Sequence, residues 1–131
     1  MIINATLREN LNYGNKKIKD DNELLKLIEQ FEVFNEEKQS PLDLKVSNKS
    51  LSTGQMQKVS FIRALLNDIN ILLLDESLSN VDKNTKNSIL SVLEKMDITI
   101  INITHNLEDF TSYDSHLKLT INEDKRSVVF V

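Results

Sequence analysis

At 131 residues the chain has room for one hydrophobic core of ordinary size and not for two. Sixteen Lys and Arg against twenty Asp and Glu give a formal net charge of −4, so there is no surplus of positive charge to hold nucleic-acid phosphates, and no nucleic-acid partner is expected. With 40% hydrophobic residues and a single proline the composition is globular, while the absence of cysteine excludes disulfides and thiolate chemistry and suits a reducing compartment.

The opening stretch, Met1 to Thr6, has no basic region followed by an apolar core of signal-peptide kind. The longest apolar runs, Ile71 to Leu74 and Thr99 to Ile103, fall far short of the ~20 residues of a membrane span, so a cytosolic location is expected. From Asn22 to Phe34 the apolar residues Leu24, Leu27, Ile28, Phe31 and Phe34 recur at three- and four-residue steps, which predicts an amphipathic helix. Residues 35–50 hold the only proline, Pro41, among Asn, Ser and Lys, and read as an irregular connection. A helix begins near Ser52 and runs to about Asn67, and the run from Ile69 to Leu74 then predicts a strand buried on both faces, as in a parallel sheet. Helical spacing returns over Lys83 to Met96, and Ile98 to Ile103 predicts a second buried strand. Strand, helix and strand in this order imply a parallel crossover. A short helix near Asn106 to Phe110 and two strands, Leu117 to Ile121 and Val128 to Val131, joined by a polar turn over Asn122 to Arg126, complete the chain.

Gly14 and Gly54 are the only glycines, so neither G-x-x-x-x-G-K-S/T nor G-x-G-x-x-G can be written anywhere in the chain. Chemistry must come from elsewhere. Ser52-Thr53-Gly54-Gln55 has the capping-box pattern, which reads either as a well-capped helix or as an anion site built on free N–H groups and the helix dipole. Asp75 and Glu76 follow directly on a predicted parallel strand, at the edge where open α/β sheets place ligands. One carboxylate there can hold Mg²⁺ and its neighbour can accept a proton from an attacking water; the bland alternative is two solvated acids. Asp82 reads as the cap of the helix that starts at Lys83. His105 follows the second predicted strand, so neighbouring strands deliver Asp75, Glu76 and His105 to one rim.

Leu51-Ser52-Thr53-Gly54-Gln55, with the helix behind it, resembles the signature motif of ABC-transporter ATPases, and Ile71 to Glu76 resembles their Walker B strand. Ser79-Asn80-Val81-Asp82 is similar to the D-loop and Thr104-His105 to the switch histidine. The opening Asn4-Ala5-Thr6-Leu7-Arg8-Glu9-Asn10-Leu11 resembles the segment after the Q-loop in exporter-type members. The resemblance implies a partial P-loop NTPase fold of the α/β class: a helical signature subdomain over residues 1–68 and the Walker B half of a parallel sheet over residues 69–131. It implies that Asp75 supports Mg²⁺, that Glu76 polarises the attacking water, and that His105 contacts the γ-phosphate of ATP. Ser52, Thr53, Gly54 and Gln55 would meet the ATP of an opposite subunit in a head-to-tail dimer, with Asp82 at that interface.

The departures carry expectations of their own. Thr53 stands where the family has the first signature glycine and adds a Cβ and hydroxyl near the phosphate approach. Met56 stands where a basic residue commonly follows the signature glutamine, and Asn80 and Val81 replace the common Ala and Leu. The Walker A loop, the adenine-stacking aromatic and the Q-loop glutamine have no counterpart, so the chain is expected to be inactive alone. It is expected to need a complementary N-terminal half, a second nucleotide-binding domain and a transmembrane domain that would hold it at the inner face of a membrane. Removal of the Walker A strand should also leave a gap or bare strand edges, so that the isolated chain either rearranges, self-associates through that edge or awaits the complementary N-terminal half. Two alternatives remain: a non-catalytic half-domain that donates a signature surface in trans, and an ATPase head of chromosome-maintenance type.

Overall fold

The computed structural model describes residues 1–106, 112–122 and 125–131. Four helices begin where a polar side chain accepts the backbone N–H three residues on. Thr6 caps α1 (Leu7–Asn12), Asp20 caps α2 (Asp21–Gln30), Ser52 caps α3 (Thr53–Leu65) and Asp82 caps α4 (Lys83–Leu93). At α1 and α3 the box is reciprocal: Glu9 returns to the Thr6 N–H at 2.7 Å and Gln55 to the Ser52 N–H at 2.9 Å.

Helix α2 stops four residues short of the predicted Phe34. Phe31 is its C-cap, Glu32 takes the left-handed conformation with φ 48°, and the Val33 N–H donates back to the Ile28 carbonyl at 3.1 Å. This is a Schellman closure made without glycine. Phe31 and Val33 stay buried beyond the last turn, which is why the apolar spacing outruns the helix.

Six strands form three two-stranded sheets among the described residues. Strand β1 (Ala5–Thr6) pairs antiparallel with β2 (Lys45–Val46), so the connection predicted to be irregular contains both a strand and a 3-10 turn at Pro41–Asp43. Strands β3 (Ile71–Asp75) and β4 (Thr99–Ile103) run parallel, with Ile71 opposite Thr99 and Asp75 opposite Ile103. Strands β5 (Leu117–Asn122) and β6 (Lys125–Phe130) pair antiparallel, with Asn122 opposite Lys125, so both strands extend into the 122–126 segment predicted as a turn. The short helix expected near residues 106–110 falls largely outside the described residues.

The core joins Leu7, Leu11, Leu24, Phe31, Val59, Ile62, Ile89 and Leu93 with Leu72 and Leu74 of β3. The expectation that β3 and β4 are buried on both faces is not met. Leu72 and Leu74 point into the core, but Ile71 (60%), Leu73 (61%), Ile101 (50%) and Ile103 (51%) are exposed. Successive side chains on a strand point to opposite faces, and among the described residues one face of this sheet joins the core while the other is exposed. No helix among the described residues is long and apolar enough to cross a membrane.

Asn10 is fully buried and ties the N-terminal segment to α3. Its amide donates to the carbonyls of Ile3 and Thr6, its Oδ1 accepts the Ile3 N–H at 2.9 Å, and the Arg63 Nε donates to its backbone carbonyl at 2.8 Å. Arg63 also donates to the Met1 carbonyl and lies over the Tyr13 ring, and burial pulls its pKa down. Arg8 of α1 holds Asp21 of α2 through two nitrogens and Asp43 of the 3-10 turn through the third.

Among the described residues three carboxylates sit below their ordinary pKa. Glu9 is lowered by the backbone N–H and hydroxyl of Thr6, Asp21 by the Arg8 guanidinium, and Asp82 by the N–H and hydroxyl of Thr85. A depressed folded-state pKa contributes stability above the unfolded value and loses it as pH falls through the folded one. The urea midpoint should therefore be level from neutrality to about pH 5 and decline below about pH 4. A midpoint that rises on acidification would contradict this.

Candidate active site

The parallel register of β3 and β4 sets the geometry. With Asp75 opposite Ile103, the residues that follow each strand leave the sheet together, and the Glu76 N–H donates to the Ile103 carbonyl at 2.9 Å. Glu76 then adopts φ 47°, a left-handed conformation uncommon for a side chain of this size. Its carbonyl accepts both the N–H and the hydroxyl of Ser79, at 3.1 and 2.8 Å, which closes the turn after the strand. The turned carboxylate meets His105 with Oε1 2.7 Å from Nε2. The imidazole is 91% exposed and the carboxylate 45%, so the pair stands at a solvent-facing rim. Asp75 ends β3 beside them and is exposed. Among the described residues no group of three or more His, Cys, Asp or Glu is clustered to hold a metal ion.

The second part of the site is a cleft of about 350 Å³ at the N-terminus of α3, lined by Ser52, Thr53, Gly54, Gln55, Asp82 and Thr85 among others. The N–H groups of Thr53 and Gly54 occupy the first two helical positions, where no acceptor exists within a helix. Together with the helix dipole and two hydroxyls they form a donor set suited to an anion. Gly54 is needed here for a reason internal to the chain. A Cβ at this position would lie 2.7 Å from Thr85 Oγ1 and 3.5 Å from Asp82 Oδ2. The surface that comes close to Gly54 is therefore the start of α4.

Glu76 and His105 are thus brought into contact, Asp75 precedes Glu76 at the exposed end of β3 without forming a three-residue cluster with them, and Ser52, Thr53, Gly54, Gln55 and Asp82 line a separate cleft. Three further residues emerge only from the coordinates. Gln57 Nε2 donates to the Ser77 carbonyl at 2.7 Å, Lys58 is buried with Nζ donating to the Glu32 carbonyl at 2.8 Å, and Thr85 faces Gly54. The Lys58 bond secures the left-handed turn that ends α2 against α3. Nothing in their spacing marks these residues, because their partners lie twenty or more positions away.

The ABC transporter family model matches residues 1–79. The sublancin-168-processing and transport ATP-binding protein SunT of Bacillus subtilis (strain 168) is 38% identical over 120 residues, covering 88% of this chain and 17% of the relative. The lactococcin-A transport/processing ATP-binding protein LcnC of Lactococcus lactis subsp. lactis is 34% identical over 128 residues, covering 95% and 18%. A bacterial Atm1-family ABC exporter solved with ATP bound superposes with a TM-score of 0.73 at 27% identity, over 88% of this chain and 21% of that one. The chain spans less than a quarter of the length of each of these proteins. By its family match, its exporter-type relatives and its fold, the chain belongs to the ABC transporter family.

Proposed function

We propose that these residues form the catalytic accessory half of an exporter-type ATP-binding cassette. Residues 1–68 supply its helical signature subdomain, and residues 69–131 the part of the ATPase core that carries Walker B. The observation that carries this reading is the 2.7 Å contact between Glu76 and His105 at the ends of adjacent parallel strands. A strained glutamate held against an imidazole at a solvent-facing rim is placed to draw a proton from a water, and the imidazole to meet a phosphate oxygen.

Asp75 is a hard oxygen donor at the same strand end and would hold Mg²⁺, which takes one or two protein carboxylates. When bound, the ion would offset phosphate charge. The donor set of Ser52, Thr53, Gly54 and Gln55 fits the phosphates of ATP. Its separation from the Glu76 rim supports action in trans, on nucleotide held by a second nucleotide-binding domain in a head-to-tail dimer. Asp82, committed to the first turn of α4, would shape that interface. The bare face of β3 and β4 supports a missing partner layer, because parallel sheets are covered on both sides in finished domains. A complementary N-terminal half that brings Walker A fits this need, and a transmembrane domain would place the assembly at the membrane's inner face. The Glu76–His105 pair weighs against a mere donor of a signature surface, which would need neither residue.

Without the lysine and amides that cradle phosphates, the isolated chain should not bind nucleotide tightly. Calorimetric titration with Mg-ATP should show no binding in the micromolar range. A dissociation constant in the low micromolar range would refute this reading.

A further inference from the structure

We propose that Gln57 is a positioning residue that holds the Glu76 loop in its working shape and couples it to the N-terminal end of α3. The proposal rests on the reading of Glu76 as the residue that polarises water. The Glu76 N–H is fixed to β4 through the Ile103 carbonyl, and the Glu76 carbonyl is fixed by Ser79 within its own turn. The next carbonyl, that of Ser77, is held from outside, by Gln57 Nε2 at 2.7 Å across twenty residues of sequence. Gln57 thus hydrogen-bonds α3 to the turn, whose Leu78 is buried in the core that α3 also lines.

The turn needs such a restraint. Glu76 sits at φ 47°, a conformation that persists only where surrounding contacts over-determine it. Release of the Ser77 carbonyl frees the peptide that follows, and the chain can then relax toward an extended or helical backbone that swings the carboxylate away from His105. Gln57 lies two positions after Gln55 on one rigid helix, whose first turn is the anion-suited cleft of Ser52 to Gln55. A shift of that helix end on docking is passed to Glu76 through one hydrogen bond. In a head-to-tail pair, a chain's signature end serves the opposite nucleotide and its Glu76 serves its own. Gln57 therefore links the two sites within each chain.

Two variants separate positioning from folding. Gln57→Met keeps length and volume but removes the donor, whereas Gln57→Lys keeps a donor. In the 131-residue chain, NMR signals of the Glu76 side chain and the His105 ring should move in Gln57→Met and return toward their original places in Gln57→Lys. In the unmodified chain the Gln57 side-chain amide protons should exchange slowly with solvent. In a cassette reconstituted from this chain and a Walker A half, Gln57→Met should lower kcat about tenfold, the kinetic equivalent of one hydrogen bond, with KM for ATP unchanged and partial rescue by Gln57→Lys. Unmoved Glu76 and His105 signals in folded Gln57→Met, or freely exchanging Gln57 amide protons, would overturn the proposal. So would a loss confined to KM. If Glu76→Gln leaves hydrolysis intact, the reading of Glu76 fails, while the NMR comparison still decides whether Gln57 holds the loop.

Discussion

Glu76→Gln should cut phosphate release by roughly 10²–10⁴-fold in a cassette assembled from this chain and a separately made Walker A half, the range typical of a lost general base. The change is nearly isosteric. An amide oxygen can still accept from His105 Nε2, so the 2.7 Å contact and the turn at Glu76 should survive. What disappears is the capacity to take a proton from water. KM for ATP should change little, since nothing in the binding surface of α3 is touched, and a fall in kcat with steady KM marks a group that acts in the transition state. Initial rates over a range of ATP concentrations check this. A variant with full kcat would remove Glu76 from the chemistry.

Gly54→Ala should destabilise the chain by about 1–3 kcal/mol, the usual cost of an added methyl in a packed contact. Sign matters more than size in this case, because alanine in place of glycine within a helix ordinarily stabilises by up to about 1 kcal/mol. At this position the new Cβ would lie 2.7 Å from Thr85 Oγ1. That hydroxyl cannot simply turn aside, since it is bonded to the Asp82 carboxylate at the start of α4. Either the α3 and α4 ends separate, which opens the cleft, or the cap of α4 is broken. Removal of the obstacle should reverse the sign: in a Thr85→Ala background, Gly54→Ala should be neutral or stabilising, and the double-mutant cycle should show strong coupling. Urea denaturation of the four proteins measures it. A Gly54→Ala chain more stable than the original would mean that the two helix ends are not in close contact.

The sequence was most legible where function and local structure use the same residues. Ser52 and Gln55 declare a capping box by spacing alone, and Asp75 and Glu76 declare themselves by following an apolar strand. The meeting of Glu76 with His105 follows from strand order, because parallel neighbours deliver their C-terminal ends to one side. What stayed hidden depends on contacts distant in sequence. Strand β2 has two residues, too few to show a period, and exists through pairing with β1 some forty positions earlier. Phe31 and Val33 kept the helical rhythm while the backbone turned at Glu32, since burial constrains side chains and not the path between them. The strands Ile71 to Asp75 and Thr99 to Ile103 carry apolar residues on both faces, yet among the described residues one face is bare, so an apolar run does not by itself say how many faces are covered. Likewise, nothing in the spacing of Ser52 to Gln55 shows that the start of α4 lies against Gly54, whose nearest neighbour is Thr85.

Phosphate release from three samples, namely this chain, a Walker A half and the two combined, decides whether a water-activating rim built from these residues works on ATP cradled by residues beyond them. Turnover is expected in the combined sample alone. Turnover by this chain unaided, or none from a combined sample in which the two halves demonstrably associate, would contradict it.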